Sequence, residues 1–342
     1  MHLTALAAII FLLTWRAQDA AQSLGLNVVR TWAFCDGPRQ GALQPTPGVL
    51  DERVAVALDG VLMQASERGL RLILVLTNHW SDYGGIGQYV SWAENTSGQV
   101  FNGVDSFYSE PACRALYRQY VTVLLSRVNS LNGLAYADDP TIFAWELINE
   151  PRVNNDPSGD VLQAWLEEMA PFVKAAAPRH MVAIGQEGFF GVSTPDLQSI
   201  NPYSSSNGND WVRNSAIAAV DFTTAHAWPD QWQNCGSSCD VNFTRLWYQT
   251  HVRASAALSK PFLLEEFGAK SWARNTMYEA VFETDLAAVS SKRGGSGVCF
   301  WLLAPTSVPD YDGYTVYLTS SEAALVASHA ASLASGGGTA TA

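Results

Sequence analysis

The chain has 342 residues, more than a small domain needs and within the range of one large α/β domain. Hydrophobic residues make up 48% and charged residues 15%, which supports a large core and excludes the highly charged, weakly hydrophobic balance of a disordered chain. The net charge of −12 argues against nucleic acid or an anionic membrane as partner, since both want a basic face, and leaves a neutral ligand as the simpler expectation.

Residues 7–13, Ala-Ala-Ile-Ile-Phe-Leu-Leu, form an apolar run too short to span a bilayer. The run reads as a signal-peptide core without a basic n-region, or as the first strand or helix of the fold. Residues 27–33 then read as a strand, and residues 39–48 as a Pro/Gly loop. Over residues 51–68, Val54, Leu58, Val61, Leu62 and Ala65 make a helical stripe. Residues 71–77 are a second buried strand. Residues 78–109 read as a long loop carrying Trp80, Asp82, Tyr83, Tyr89 and Trp92, and a loop of that length in a compact domain is usually functional. A helix with Leu116, Tyr120, Val123 and Leu124 on one face follows.

Residues 141–148 are rich in β-branched and aromatic side chains, as a strand buried on both faces requires. It runs into Asn149-Glu150, and Pro151 then ends the ladder because it has no N–H to donate. The alternation continues with a helix over 160–177, a strand at 180–186, a strand at 221–227 and a helix over 242–258. Strand 261–266, helix 276–292, strand 297–303 and a helix from about 320 complete it. Seven strand–helix units, with the N-terminal run as an eighth strand, predict a parallel sheet closed as a (β/α)8 barrel with its first strand atypical or missing. No Gly-rich phosphate loop follows any strand, so nucleotide binding is disfavoured.

The cysteines number five. None of their spacings is that of a zinc site, and neither metal nor other cofactor is expected. Cys235 and Cys239 could close a small disulfide in a secreted protein, whereas Cys113 and Cys299 read as core thiols.

In a parallel barrel the C-terminal strand ends share one mouth, so their polar residues belong to one site. That rim carries Arg30, Asn78, His79, Asn149, Glu150, Glu187, His226, Trp228, Glu266 and Trp301. Singly, each has an ordinary packing explanation, such as a salt-bridged strand end. Jointly they do not. Two carboxylates across a barrel mouth, Glu150 and Glu266, are what glycoside hydrolysis requires: one protonates the leaving oxygen and the other attacks the anomeric carbon. Alternation along the strand sends one of Glu265 and Glu266 to the mouth and turns the other away, and Glu266 is taken as the inward one.

The motifs Val28-Val29-Arg30-Thr31-Trp32-Ala33-Phe34, Asn78-His79-Trp80-Ser81-Asp82-Tyr83-Gly84-Gly85 and Phe143-Ala144-Trp145-Glu146-Leu147-Ile148-Asn149-Glu150-Pro151 occur in that order. Glu187-Gly188-Phe189-Phe190-Gly191, Glu266-Phe267-Gly268 and Gly295-Ser296-Gly297 follow. Over residues 24–318 the chain resembles the plant-type endo-1,4-β-mannanases of glycoside hydrolase family five. The resemblance implies Glu150 as acid/base, Glu266 as nucleophile, and Arg30, Trp32, Asn149, Glu187, His226, Trp228 and Trp301 as residues that organise the site or bind substrate. It implies a β-mannan polysaccharide as partner, with no nucleic acid or membrane, and a monomer acting outside the cell. A β-glucanase or mannan transglycosylase of the same fold, and a catalytically weak wall-polysaccharide binder, are the alternatives. Sequons at Asn95 and Asn242, both in expected loops, agree with secretion.

Two departures stand out. The usual His-x-Tyr reads His226-Ala227-Trp228, so no phenol is available there to bond the nucleophile. The family's first strand has no counterpart before Gln18. Residues 1–17 are therefore set apart as an apolar N-terminal segment, residues 18–334 as a single catalytic domain, and residues 335–342 as a disordered tail.

Overall fold

The computed structural model describes residues 5–203, 206–233, 237–270, 274–291 and 295–336. Its strands are β1 (Val28–Trp32), β2 (Arg71–Val75), β3 (Ile142–Glu146), β4 (Met181–Ala183), β5 (Thr223–Ala227), β6 (Phe262–Phe267) and β7 (Gly295–Val298). All pair in parallel, in the orders β1-β2-β3-β4 and β5-β6-β7. Helices cover the outside, as apolar crossovers on a parallel sheet demand. Backbone bonds from Asp221 to Val182 (2.9 Å) and from His226 to Glu187 (3.0 Å) tie the two sheets together across β4 and β5. The result is an α/β barrel of the (β/α)8 kind with seven strands among the described residues.

The N-terminal run is not the eighth strand. Helix α1 spans Ala5–Ser23, and its second half docks on α2 (Glu52–Glu67). Gln18 Nε2 donates to the Val61 carbonyl at 3.1 Å, and Arg68 pairs with Asp19 at 2.7 Å. Among the described residues no ladder joins β7 to β1. Between them lies an apolar cavity of about 390 Å³, lined by Ala17, Ala21, Leu26, Val29 and Leu303 among others. Among the described residues no helix is long and apolar enough to cross a membrane.

The expected long loop after β2 contains a helix, α3 (Gly85–Ser97). Gly84 and Gly85 turn the chain with φ of 109° and 57°, which side chains resist. Ile86, Tyr89, Val90 and Ala93 then bury one helical face against the core. Asn95 therefore sits in the last turn of α3, and Asn242 within the helix Ser237–Ala257; both are exposed, and neither lies in a loop. The Cys235–Cys239 pairing falls outside the described residues, as does the expected tail from 337 onward, while the last helix continues through Gly336.

Side chains fill the barrel in layers. Ile73, Ala144, Ala183 and Phe222 form an apolar layer in the interior. Arg30 and Glu146 follow one pleat higher, two residues beyond Val28 and Ala144, so strand alternation alone places charge directly above the apolar floor.

Candidate active site

The mouth of the barrel opens into a cleft of about 910 Å³. Each strand end delivers its residue through backbone pairing. Asn149 N–H donates to the Thr77 carbonyl (2.9 Å) and Glu150 N–H to the Gly185 carbonyl (2.8 Å), which carries backbone pairing four residues past the end of β3. Glu150 then takes φ of 50°, a left-handed conformation uncommon for a residue with a side chain and one that clusters at functional sites. On β6 the register with β5 shifts at Ala225/His226, so Glu265 is an extra residue opposite the β5 ladder. That bulge brings both Glu265 and Glu266 to the barrel interior. The expectation that Glu265 turns away is thereby corrected: it lies 3.6 Å from Arg30 Nε and 3.7 Å from His226 Nε2, fully buried.

Glu150 and Glu266 meet at the cleft floor. Together with His226 they place one ligand-type atom each within 4.8 Å of one another. His226 Nδ1 bonds Glu150 Oε1 at 2.6 Å and lies 3.6 Å from Glu266 Oε2. Trp80 Nε1–H donates to Glu150 Oε2 at 2.6 Å. Arg30 Nη1 donates to Glu266, and Nη2 donates to Asn149 Oδ1 at 2.7 Å. Asn149 passes the order on, its Nδ2 donating to Asn78 Oδ1 at 3.0 Å. These three groups are also the set among the described residues that could close on a cation, but Arg30, Trp80 and the imidazole already engage their oxygens. The arrangement is that of a proton-sharing cluster.

Arg30 and His226, expected to organise the site or bind substrate, are buried beneath the two carboxylates and hold them from below. Trp32, Asn149, Glu187, Trp228 and Trp301 do line the cleft. Trp32 and Trp301 face each other with ring centroids 5.8 Å apart, and Trp301 Nε1–H donates to Asp312 at 2.8 Å. Glu187 is held by Arg152 through two bonds of 2.6 Å. Trp228 packs edge-on against Tyr314 at 4.8 Å, and the Tyr314 hydroxyl is committed to Asp230 and Gln231. Tyr314 therefore does not replace the missing phenol, and Arg30 is the donor that Glu266 has.

Sequence reasoning missed Trp80 and Arg152 as contacts of this site. Trp80 falls in the motif after β2 and Arg152 directly follows Pro151, so proximity to strand ends was the available signal.

The proton states are set by burial against the neighbouring charges. Burial pushes Glu150 up, but the bond to His226, its charge, and the Trp80 donor outweigh this and hold the carboxyl at about 2. Burial would lower His226, yet the charges of Glu266 and Glu150 raise it well above the usual imidazole range. Glu266 is raised, chiefly by burial against the opposing pull of His226 and Arg30. Burial and the charge of Glu150 push Glu187 to about 7 despite Arg152. Glu150 and His226 therefore share a proton across a 2.6 Å hydrogen bond, and the pair titrates as a unit.

Residues 16–312 match the family described as glycoside hydrolase family 5, beta-mannosidase-like. A putative mannan endo-1,4-beta-mannosidase 5 of rice (Oryza sativa subsp. japonica) is 42% identical, over 92% of this chain and 67% of its own length. Mannan endo-1,4-beta-mannosidase 2 of Arabidopsis thaliana is 42% identical over 83% of this chain and 68% of its own. The solved endo-beta-1,4-mannanase of Thermotoga petrophila superposes with a TM-score of 0.85 at 31% identity, covering 97% of this chain and 75% of that one.

Proposed function

The chain belongs to the beta-mannosidase-like group of glycoside hydrolase family 5, and from that premise we infer that it hydrolyses internal β-1,4-mannosidic bonds of mannan, galactomannan or glucomannan by double displacement. One observation carries the reading: two carboxylates at the barrel mouth approach within 4.8 Å, linked by a buried imidazole. Retaining glycosidases hold their carboxyl groups about 5–5.5 Å apart, leaving no room for a water between the second carboxylate and the anomeric carbon, so that carboxylate attacks directly.

In this reading Glu266, fixed by Arg30, attacks the anomeric carbon while the glycosidic C–O bond breaks. The proton shared by His226 and Glu150 passes through the Glu150 carboxyl to the leaving oxygen. Sugar entering the cleft displaces water and favours the neutral carboxyl over the separated charges. Water then attacks the glycosyl ester, its proton returning to Glu150 and His226, and Glu266 is released. Asn149, oriented by Arg30 and Asn78, is placed to bond the sugar 2-hydroxyl. Trp32, Trp301 and Trp228 supply apolar faces along the cleft, and Glu187 with Arg152 a polar one.

Residues 18–334 are read as one catalytic domain that acts as a monomer outside the cell; the exposed sequon asparagines 95 and 242 agree with secretion. The test is reducing-sugar release from soluble galactomannan beside carboxymethylcellulose. Hydrolysis of the mannan alone is expected. Preference for the cellulose derivative would make the protein a glucanase, and binding of mannan without turnover would make it a lectin-like wall protein.

A further inference from the structure

Two more carboxylates lie one layer below the catalytic pair. Glu146 of β3 and Glu265 of β6 stand two residues beyond Ala144 and Leu263 of the interior apolar layer, as Arg30 stands beyond Val28. Arg30 grips Glu146 twice, from Nε to Oε2 at 2.7 Å and from Nη2 to Oε1 at 2.5 Å. The same Nε lies 3.6 Å from Glu265, while His226 turns Nε2 toward Glu265 at 3.7 Å and Nδ1 toward Glu150 at 2.6 Å. Contacts between the lower and upper carboxylates therefore run through one guanidinium and one imidazole.

Glu146 and Glu265 are fully buried and share Arg30 and His226 with the pair above them, which disfavours ionising both at once. Burial and the Glu265 charge hold Glu146 up at about 8 against the pull of Arg30. Glu265 is raised by burial but lowered overall by Arg30 and His226. Glu146 is thus the proton carrier and Glu265 the ion.

We propose that Glu146 and Glu265 are positioning residues: a buried carboxyl pair that seats Arg30 under the nucleophile and holds His226 beneath the acid/base. This rests on the reading of Glu150 and Glu266 as the catalytic pair. The groups facing Glu265 are Arg30 from β1, Glu146 from β3, His226 from β5, Glu266 on its own strand, and Cys299 just past β7. Burial pushes the Cys299 thiol up to about 12, so it contributes no charge.

Glu265→Gln removes the negative charge below His226 and beside Glu266. His226 then releases its proton at lower pH, and Glu266 ionises at lower pH. Both limbs of the bell-shaped kcat/KM profile on galactomannan are expected to move down by about one unit, the size of a single close charge. The His226 titration followed by NMR on 15N-histidine-labelled protein should move the same way, with kcat falling more than KM rises. Glu265→Asp, one methylene further from His226, should give a smaller shift in the same direction. Glu146→Gln, which replaces a carboxyl already protonated, should lower kcat while leaving the limbs in place. A Glu265→Gln enzyme with a lower Tm but unmoved limbs and an unmoved His226 titration would overturn the proposal. Should that variant not fold, an unmoved profile in Glu265→Asp overturns it equally. A wild-type protein inactive on mannan would refute the functional reading, and the histidine titration alone would then decide the role of the pair.

Discussion

Replacing Trp80 by Phe tests the proton account of the acid/base without touching either candidate catalytic carboxyl. The indole Nε1–H donates to Glu150 Oε2 at 2.6 Å and is one of the groups that hold this carboxyl at about 2. Phe keeps an aromatic face beside Arg152, now 5.0 Å from the ring, and beside His79, also 5.0 Å away, but has no donor. A hydrogen bond to a charged group contributes about 1.5–3 kcal/mol. At 1.36 kcal/mol per unit, losing it raises the carboxyl by about 1–2 units. The carboxylate form is the one that loses a partner, so the His226–Glu150 pair keeps its proton to higher pH. The basic limb of kcat/KM on soluble mannan should therefore move up by about one unit. The acidic limb, set by Glu266, should stay, since Trp80 is not among the groups that shift Glu266. Glu150 also links folding to pH. Its lowered carboxyl stabilises the native state above about pH 4.5, and that contribution is lost as pH falls toward 2. Trp80→Phe should shrink the Tm difference between pH 6 and pH 3. A basic limb that stays in place or moves down would refute the assignment of Trp80 as a partner of the acid.

Glu150→Gln should still form the glycosyl intermediate with an activated aryl mannoside, which needs no acid, while mannan hydrolysis falls by at least about 100-fold; equal losses on both substrates would remove Glu150 from the acid role. Glu266→Gln should abolish turnover, and a 2-fluoro mannoside should label Glu266 in the wild type, located by peptide mass; a label on Glu265 would reverse the assignment on β6. Trp228→Tyr cuts back an indole that walls the cleft against Tyr314, so KM should rise several-fold with kcat held, the signature of lost uniform binding. A rise in kcat would instead mean that the new phenol reaches Glu266.

Local chemistry settled much of this protein in advance. Buried strands such as 71–77 and 141–148 follow from β-branched and apolar runs, and Pro151 and the Gly84–Gly85 pair mark where chain direction changes. Because parallel strands present their C-terminal ends together, Arg30, Asn149, Glu150, His226 and Glu266 could be assigned to one rim from sequence position alone. Helix α3 was legible in its Ile86, Tyr89, Val90, Ala93 spacing but was masked by the Gly and polar residues around it. The N-terminal run was ambiguous because seven apolar residues suit a strand or a helix equally, and docking on α2 selects the helix. Other features were decided only by the fold. Glu265 is turned inward by a bulge, which depends on the register between β5 and β6 and leaves no mark in either strand. The low carboxyl of Glu150 and the charged His226 depend on distances of 2.6 Å between groups 76 residues apart. A proton's position is set by burial and by every nearby charge at once, so residue type fixes which groups can share it and only the tertiary structure decides where it rests.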